Sequence, residues 1–239
     1  MKQVKTDQNT PVDDLLIFSN KVTRSCIDRY ILLSEFTKNK SVLSISSGYC
    51  YGEAILKVLG AKEVTAIDMD PKAIEYAKQN YGSLINPIVG NFVDDEIDLN
   101  KKFDIILSIE TYEHVEQDQT KNLTETMLRH GHENTIYIIT TPMRKEAVWV
   151  DNGGTHRYEY SAEEFTSTIK YQFDGLTTNF MLIGEKHIEN NYVSMFIQNI
   201  QQHIPLAGAI MVAVIGKNDL FEPKTLNSNK NVEQTNETN

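Results

Sequence analysis

Gly48 and Gly52 sit in a run of small residues, SISSGYCYGE over 44–53. An acid, Asp68, ends the segment EVTAID 20 residues beyond Gly48. A glycine turn of this kind brings backbone amides close to a ligand, and a carboxylate at that distance is placed to hold ribose hydroxyls. Gly48 alone also reads as the hinge of a tight strand-to-helix turn. The polar run Ser44, Ser46, Ser47 favours the ligand, because hydroxyls are wasteful at a buried strand end. Asp68 also reads as a helix cap, but Asp70, next to Pro71, is better placed for that role.

Other candidates follow later apolar runs. Asn91 offers the donor and acceptor that an adenine edge requires, and Phe92 a stacking face, although Phe92 taken alone reads as core. His114, in the step Glu113-His114-Val115, reads equally as a general base or orienting donor and as a surface histidine opening a helix. His156 lies in GGTHRYEY, where two glycines suggest a mobile flap. His130 and His132 flank Gly131 in a polar turn and read as solvated. No metal site is expected, because no third ligand is close in sequence.

These residues need elements to position them. Apolar spacing predicts one or two helices over 13–38. Strands are then predicted at 41–46, 63–68, 84–90, 103–110, 134–141, 175–184 and 207–216. Helices are expected over 52–60, 71–82, 117–130 and 161–173, with a further one around 192–202. Pro71 opens one helix, and Ser161 with Glu164 forms a capping box for another. Strands alternating with helices give an α/β fold: a Rossmann-like, seven-stranded, mostly parallel sheet flanked by helices, with N-terminal helices and a small cap or insertion. In such a sheet the ligand sits beyond the carboxyl ends of the strands. That gathers 44–50, 68–70, 90–92 and 108–112 around one crevice. The expected organisation is an N-terminal helical segment over 1–38, a main domain over 39–221 with a loop at 143–160 and an insertion at 185–205, and a disordered tail over 222–239.

The 239 residues carry 40% hydrophobic and 23% charged side chains, ordinary for a soluble globular protein. A formal charge of −10 disfavours nucleic acid as a partner. Two cysteines, Cys26 and Cys50, form no Cys-x-x-Cys pair and suggest neither a disulfide framework nor a zinc knuckle. The N-terminus lacks an apolar signal core, and the longest apolar run, Ala207 to Ile215, is too short to span a bilayer. A cytoplasmic protein with no membrane partner is the resulting expectation. The oligomeric state cannot be read.

Six segments, in order, resemble the class I S-adenosylmethionine-dependent methyltransferases. They are DRYILLSEF (28–36), VLSISSGYCYGE (42–53), VTAIDMDPKAIEYA (64–77), FDIILSIETYEHV (103–115), TTPM (140–143) and HRYEYSAEEF (156–165). The similarity is strongest to the small-molecule branch with quinone-biosynthesis and glycosyltransferase-associated enzymes. The resemblance implies that Ser44, Ser46 and Gly48, with the turn to Cys50, wrap the methionyl part of the cofactor. Asp68 would hold the ribose, with Met69 on the adenine and Asn91 and Phe92 at its edge. Ile109 and Glu110 would lie near the sulfonium, and Arg29 or Tyr30 would reach the cofactor carboxylate. The family usually has Asp at position 44 and Gly at 46 and 50. Here Ser44 removes an anchor for the cofactor's amino group.

The function implied is methyl transfer (EC 2.1.1.-) from S-adenosylmethionine to oxygen, nitrogen or carbon of a small molecule, leaving S-adenosylhomocysteine, with His114 or His156 as proton acceptor. The acceptor pocket would be lined by Trp149, Tyr158 and Tyr160 and by Tyr192, Met195 and Phe196, residues that read equally as plain packing. Two other readings compete. A non-catalytic, cofactor-binding partner subunit is suggested by the altered glycine turn. A nicotinamide dehydrogenase shares the early β-α-β but has no role for the EHV and HRYEYSAEEF segments.

Overall fold

The computed structural model describes residues 21–217 apart from 94–96, 145, 147, 150–155, 189–190 and 199–209. The expected tail and residues 13–20 of the N-terminal helical run lie outside the described residues.

The chain opens with α1 (Lys21–Thr37), β1 (Ser41–Ile45), α2 (Tyr51–Val58), β2 (Glu63–Asp68), α3 (Pro71–Tyr81) and β3 (Asn86–Val89). Next come β4 (Phe103–Ile109), a 3-10 turn (Tyr112–His114), α4 (Thr120–Arg129) and β5 (Gly131–Pro142). Then follow β6 (Val148–Trp149), β7 (Tyr158–Glu159), α5 (Ala162–Gln172), β8 (Thr177–Ile188), β9 (Asn191–Gln198) and β10 (Ile210–Gly216).

The main sheet has the order β3-β2-β1-β4-β5-β10-β8-β9. The ladders from β3 to β5 are parallel, and β10 runs antiparallel to both neighbours. The seven expected strands are all present. The eighth, β9, replaces the helix expected around 192–202. Tyr192, Val193, Phe196 and Ile197 are aromatic or β-branched, and their stretch pairs antiparallel with β8. A hairpin partner overrides the local helical spacing. The loop expected at 143–160 contains the short β6–β7 ladder.

Both sheet faces are covered, so β1, β4 and β10 are buried almost end to end. Alternate residues point to opposite faces. Leu43, Ile106, Ile139 and Ala213 pack with Leu123 and Met127 of α4 and Phe165 and Ile169 of α5. Val42, Ile105, Ile138 and Val212 pack with Leu33 of α1, Leu56 of α2 and Ile74 of α3. The strand order reverses between β1 and β4, because the chain moves outward from β1 to β3 and then returns to the other side of β1. That reversal leaves a crevice beyond the carboxyl ends of these two strands, where a ligand fits.

Helix caps follow the sequence closely. Asp70 accepts the amide of Lys72 at 2.8 Å, with Pro71 in the first turn. Ser161 accepts the amide of Glu164 at 3.2 Å. The carboxylate of Glu164 does not return to complete the capping box; it takes Tyr158 and Gln117 instead.

Candidate active site

The β1–α2 turn is tied to β2. The Ser47 amide donates to the Ile67 carbonyl at 3.0 Å, and the Gly48 amide donates to Asp68 Oδ2 at 2.7 Å. The other oxygen, Oδ1, accepts the Asp70 amide at 2.9 Å. Asp68 therefore clamps two strand-end turns, and each carboxylate oxygen keeps a second lone pair for a ribose hydroxyl. Met69 beside it is 67% exposed, an apolar surface open to a ring.

Asn91 sits at the end of the next strand and accepts the Val93 amide at 2.9 Å. Phe92 departs from its expected stacking role. Its side chain is buried in the core, tilted against the His130 ring at 5.6 Å. Three residues beyond the end of β3, its ring joins the core cluster instead of the crevice. His130 also departs from expectation. It is buried, with Nδ1 on the Thr126 carbonyl at 2.8 Å and Nε2 accepting the Leu99 amide at 3.2 Å. It terminates α4 rather than facing water.

On the β1 side, Ser44 is buried and donates to Glu53 Oε1 at 2.7 Å. Tyr30 donates to the same oxygen at 3.1 Å, and its ring lies against Gly52. The Tyr30 hydroxyl is thus engaged by Glu53. Its neighbour Arg29 is buried, and its Nε and Nη1 have no hydrogen-bond partner. Sequence reasoning gave Glu53 no role. Its spacing from Leu56, three residues on and fully buried, is the signal that places it on the inner face of α2.

Beyond β4, Ile109 is buried and Glu110 turns into the left-handed region at φ 52°. Its amide donates to the Thr140 carbonyl at 3.1 Å, and Thr140 Oγ1 donates to its carboxylate at 2.7 Å. Arg29 stands 3.7 Å from the other oxygen. The 3-10 turn then delivers Glu113 and His114. Glu113 is fully buried; Oε2 accepts Thr141 at 3.0 Å, and Oε1 lies 3.9 Å from His114 Nε2. Burial, with Glu110 adding repulsion, pushes its pKa well above the ordinary range.

His114 and His156 meet edge to face, with ring centroids 4.8 Å apart. They are far apart in sequence, and the tie is a backbone bond from the Arg157 amide to the Glu113 carbonyl at 2.6 Å. His156 Nδ1 lies 2.6 Å from Glu159 Oε1, and Arg144 holds the other oxygen of Glu159. Burial alone would raise the Glu159 pKa, but its hydrogen bonds from Arg144 and His156 hold it below the usual value. An anionic Glu159 makes Nδ1 the donor and Nε2 the basic nitrogen of His156. Ligand atoms of Glu113, His114 and His156 all lie within 4.8 Å of one another, spacing that a metal ion could also use. Of the expected acceptor-side aromatics, Tyr158 and Tyr160 are buried and Trp149 is 58% exposed. Tyr192, Met195 and Phe196 fall on β9, whose side chains lie outside the description.

Comparison with known proteins bears on the fold. Residues 42–133 match a family model described as a methyltransferase domain. No curated protein matches the chain by sequence. Among solved structures, the N-methyltransferase NodS from Bradyrhizobium japonicum WM9, in complex with S-adenosylhomocysteine, is 14% identical; the match covers 88% of this chain and 95% of that one, with TM-score 0.60. The magnesium protoporphyrin IX methyltransferase ChlM from Synechocystis PCC 6803, with bound S-adenosylmethionine, is 9% identical over 88% of both chains, with TM-score 0.57. The DhpI complex with S-adenosylhomocysteine is 14% identical over 86% of this chain and 89% of the other, with TM-score 0.58. The segment that matches the methyltransferase domain spans the glycine turn, Asp68 and the EHV step, and the chain shares the fold of these S-adenosylmethionine- and S-adenosylhomocysteine-bound structures.

Proposed function

We propose that the enzyme methylates a small-molecule acceptor at the corner between β4 and the 156–160 segment, with the histidine pair as proton acceptor. The observation that carries this reading is the His114–His156 contact backed by Glu159. S-adenosylmethionine supplies an electrophilic methyl group on a sulfonium. Asp68 would hold the ribose, Met69 would cover the adenine, and Arg29, with its unpartnered donors, would take the carboxylate. Glu110, braced by Thr140, would stand beside the methionyl group. His156, oriented through Nδ1 by Glu159, presents Nε2 to a hydroxyl or ammonium acceptor, and His114 flanks it. NodS and ChlM are named for N-methylation and for a porphyrin substrate, so the fold hosts different small acceptors. The acidic charge supports a partner other than nucleic acid. The cytoplasm is the proposed setting, supported by two free cysteines and, among the described residues, no helix long and apolar enough to cross a membrane.

A second reading of the same corner is favoured by the ligand spacing. A divalent cation on Glu113, His114 and His156 would polarise an acceptor oxygen and lower its pKa.

Calorimetric titration with S-adenosylhomocysteine, with NAD as control, is the first test. Binding that is lost in Asp68→Ala supports the site; equal binding of NAD would count against it. His114→Ala is expected to keep cofactor binding and lower turnover by about 100-fold or more. Unchanged turnover removes His114 from the mechanism, and turnover lost on chelation and restored by a divalent metal selects the second reading.

A further inference from the structure

The roles proposed above leave Glu53 unassigned. It stands in the first turn of α2 and is fully buried. Its Oε1 accepts Ser44 at 2.7 Å and Tyr30 at 3.1 Å, whereas Oε2 is buried with no partner. A buried carboxylate needs a cation or further donors, and an orphaned oxygen is costly. The nearby Arg29 does not supply the cation. It faces Glu110 at 3.7 Å, and its own Nε and Nη1 are unpartnered. A buried carboxyl group and a buried cation, each with unused hydrogen-bonding atoms and no ion pair between them, suit a zwitterion that bridges both. The methionyl end of S-adenosylmethionine is an α-amino acid, hence a zwitterion.

We propose that Glu53 receives the α-ammonium group of the cofactor, replacing the acid that Ser44 does not provide. The inference rests on the methyltransferase reading and identifies a residue that reading lacked. The 2.7 Å bond between Ser44 and Glu53 shows that the two side chains meet. A carboxylate carried by α2 therefore reaches the place where a carboxylate on β1 would end. With no cation in place, burial pushes the Glu53 pKa up to about 7. Other titratable groups facing it are Tyr30 on α1, Tyr51 on α2, Cys50 in the turn and Asp68 on β2. All are neutral or acidic, so an arriving ammonium is the group that drives Glu53 to ionise.

The test compares S-adenosylhomocysteine with 5′-methylthioadenosine, which keeps the nucleoside thioether and lacks the amino acid. Glu53→Gln is expected to weaken S-adenosylhomocysteine by about 10- to 100-fold and to leave 5′-methylthioadenosine within about 2-fold. Wild-type protein should release a proton on binding S-adenosylhomocysteine below pH 7, read as a dependence of the calorimetric heat on buffer ionisation, and Glu53→Gln should not. The exchange Ser44→Asp/Glu53→Ser should restore most of the affinity, and it serves as the second variant should Glu53→Gln not fold. The proposal is overturned if Glu53→Gln binds both ligands like wild type, if it loses both equally, or if the folded exchange variant binds only 5′-methylthioadenosine. Wild-type protein that binds neither ligand overturns the methyltransferase reading along with it.

Discussion

Three side-chain-bearing residues at the site hold left-handed backbone: Ser46 at φ 53°, Cys50 at φ 60° and Glu110 at φ 52°. Each costs about 1 kcal/mol relative to glycine, and such strain gathers where backbone must approach a ligand. Ser46 is exposed. Ser46→Gly is therefore expected to raise stability by about 0.5 kcal/mol, the relief being partly offset by a more flexible unfolded chain. Urea denaturation would show this as a higher midpoint at unchanged slope; a lower midpoint would mean that the hydroxyl makes a stabilising bond. Cys50 would not give the same gain, because its buried side chain leaves a void when removed. Burial also pushes its thiol pKa up, so the sulfur is not a ready nucleophile. The sequence carried this strain openly, as side chains in a turn that favours glycine. It also showed an acid missing at Ser44. It did not show the replacement, because Glu53 lies nine residues on, in the first turn of α2, and its partnership with Ser44 exists only once α2 folds back on β1.

At the scale of elements, α1 and α2 are held together at Gly52. A Cβ there would stand 2.1 Å from Tyr30 Cζ, so nothing larger than glycine fits without moving the ring. Tyr30 is itself fully buried and bonded to Glu53. Gly52→Ala is expected to cost about 2–3 kcal/mol through overpacking, and to weaken S-adenosylhomocysteine as Tyr30 and Arg29 shift together. A thermal melt combined with the same titration checks both effects; an unchanged melt would show that α1 can slide without loss. Elements set by local signals were legible: Asp70 and Pro71 open α3, Ser161 opens α5, and the buried strands read as apolar runs. Elements set by distant partners were not. β9 is a strand because β8 lies beside it. His130 is buried because Leu99, 31 residues earlier, returns to donate to its ring. The pairing of His114 with His156 was hidden in the same way, since each was read alone.

For the whole molecule, four acids with shifted pKa values fall into two groups with opposite effects on stability. Glu53 and Glu113 are held above their ordinary values, chiefly by burial. An unfolded Glu gives up its proton near 4.5, whereas folded Glu53 keeps it to about 7. Between those values the folded state binds more protons, so stability falls as pH rises. The fall for Glu53 alone is on the order of 3 kcal/mol. Half-buried Asp104 and buried Glu159 are held low against the pull of desolvation, Asp104 by bonds from Ser41 and His132 and Glu159 by Arg144 and His156. Their contribution is present above the ordinary carboxylate range and is lost as pH falls through their lowered values. The ligand-free protein is thus expected to be most stable at about pH 5, below neutrality. Saturating S-adenosylhomocysteine should move that optimum toward neutrality, because an ammonium beside Glu53 removes the reason for its raised pKa. Mass action should add about 2.7 kcal/mol at a hundredfold excess over Kd. Melting temperatures measured from pH 4 to 9, with and without ligand, would read both effects. A ligand-free optimum at neutral pH would mean that water or a bound cation already satisfies Glu53, and a ligand-induced gain that does not grow between pH 5 and 7 would uncouple the cofactor from that carboxylate.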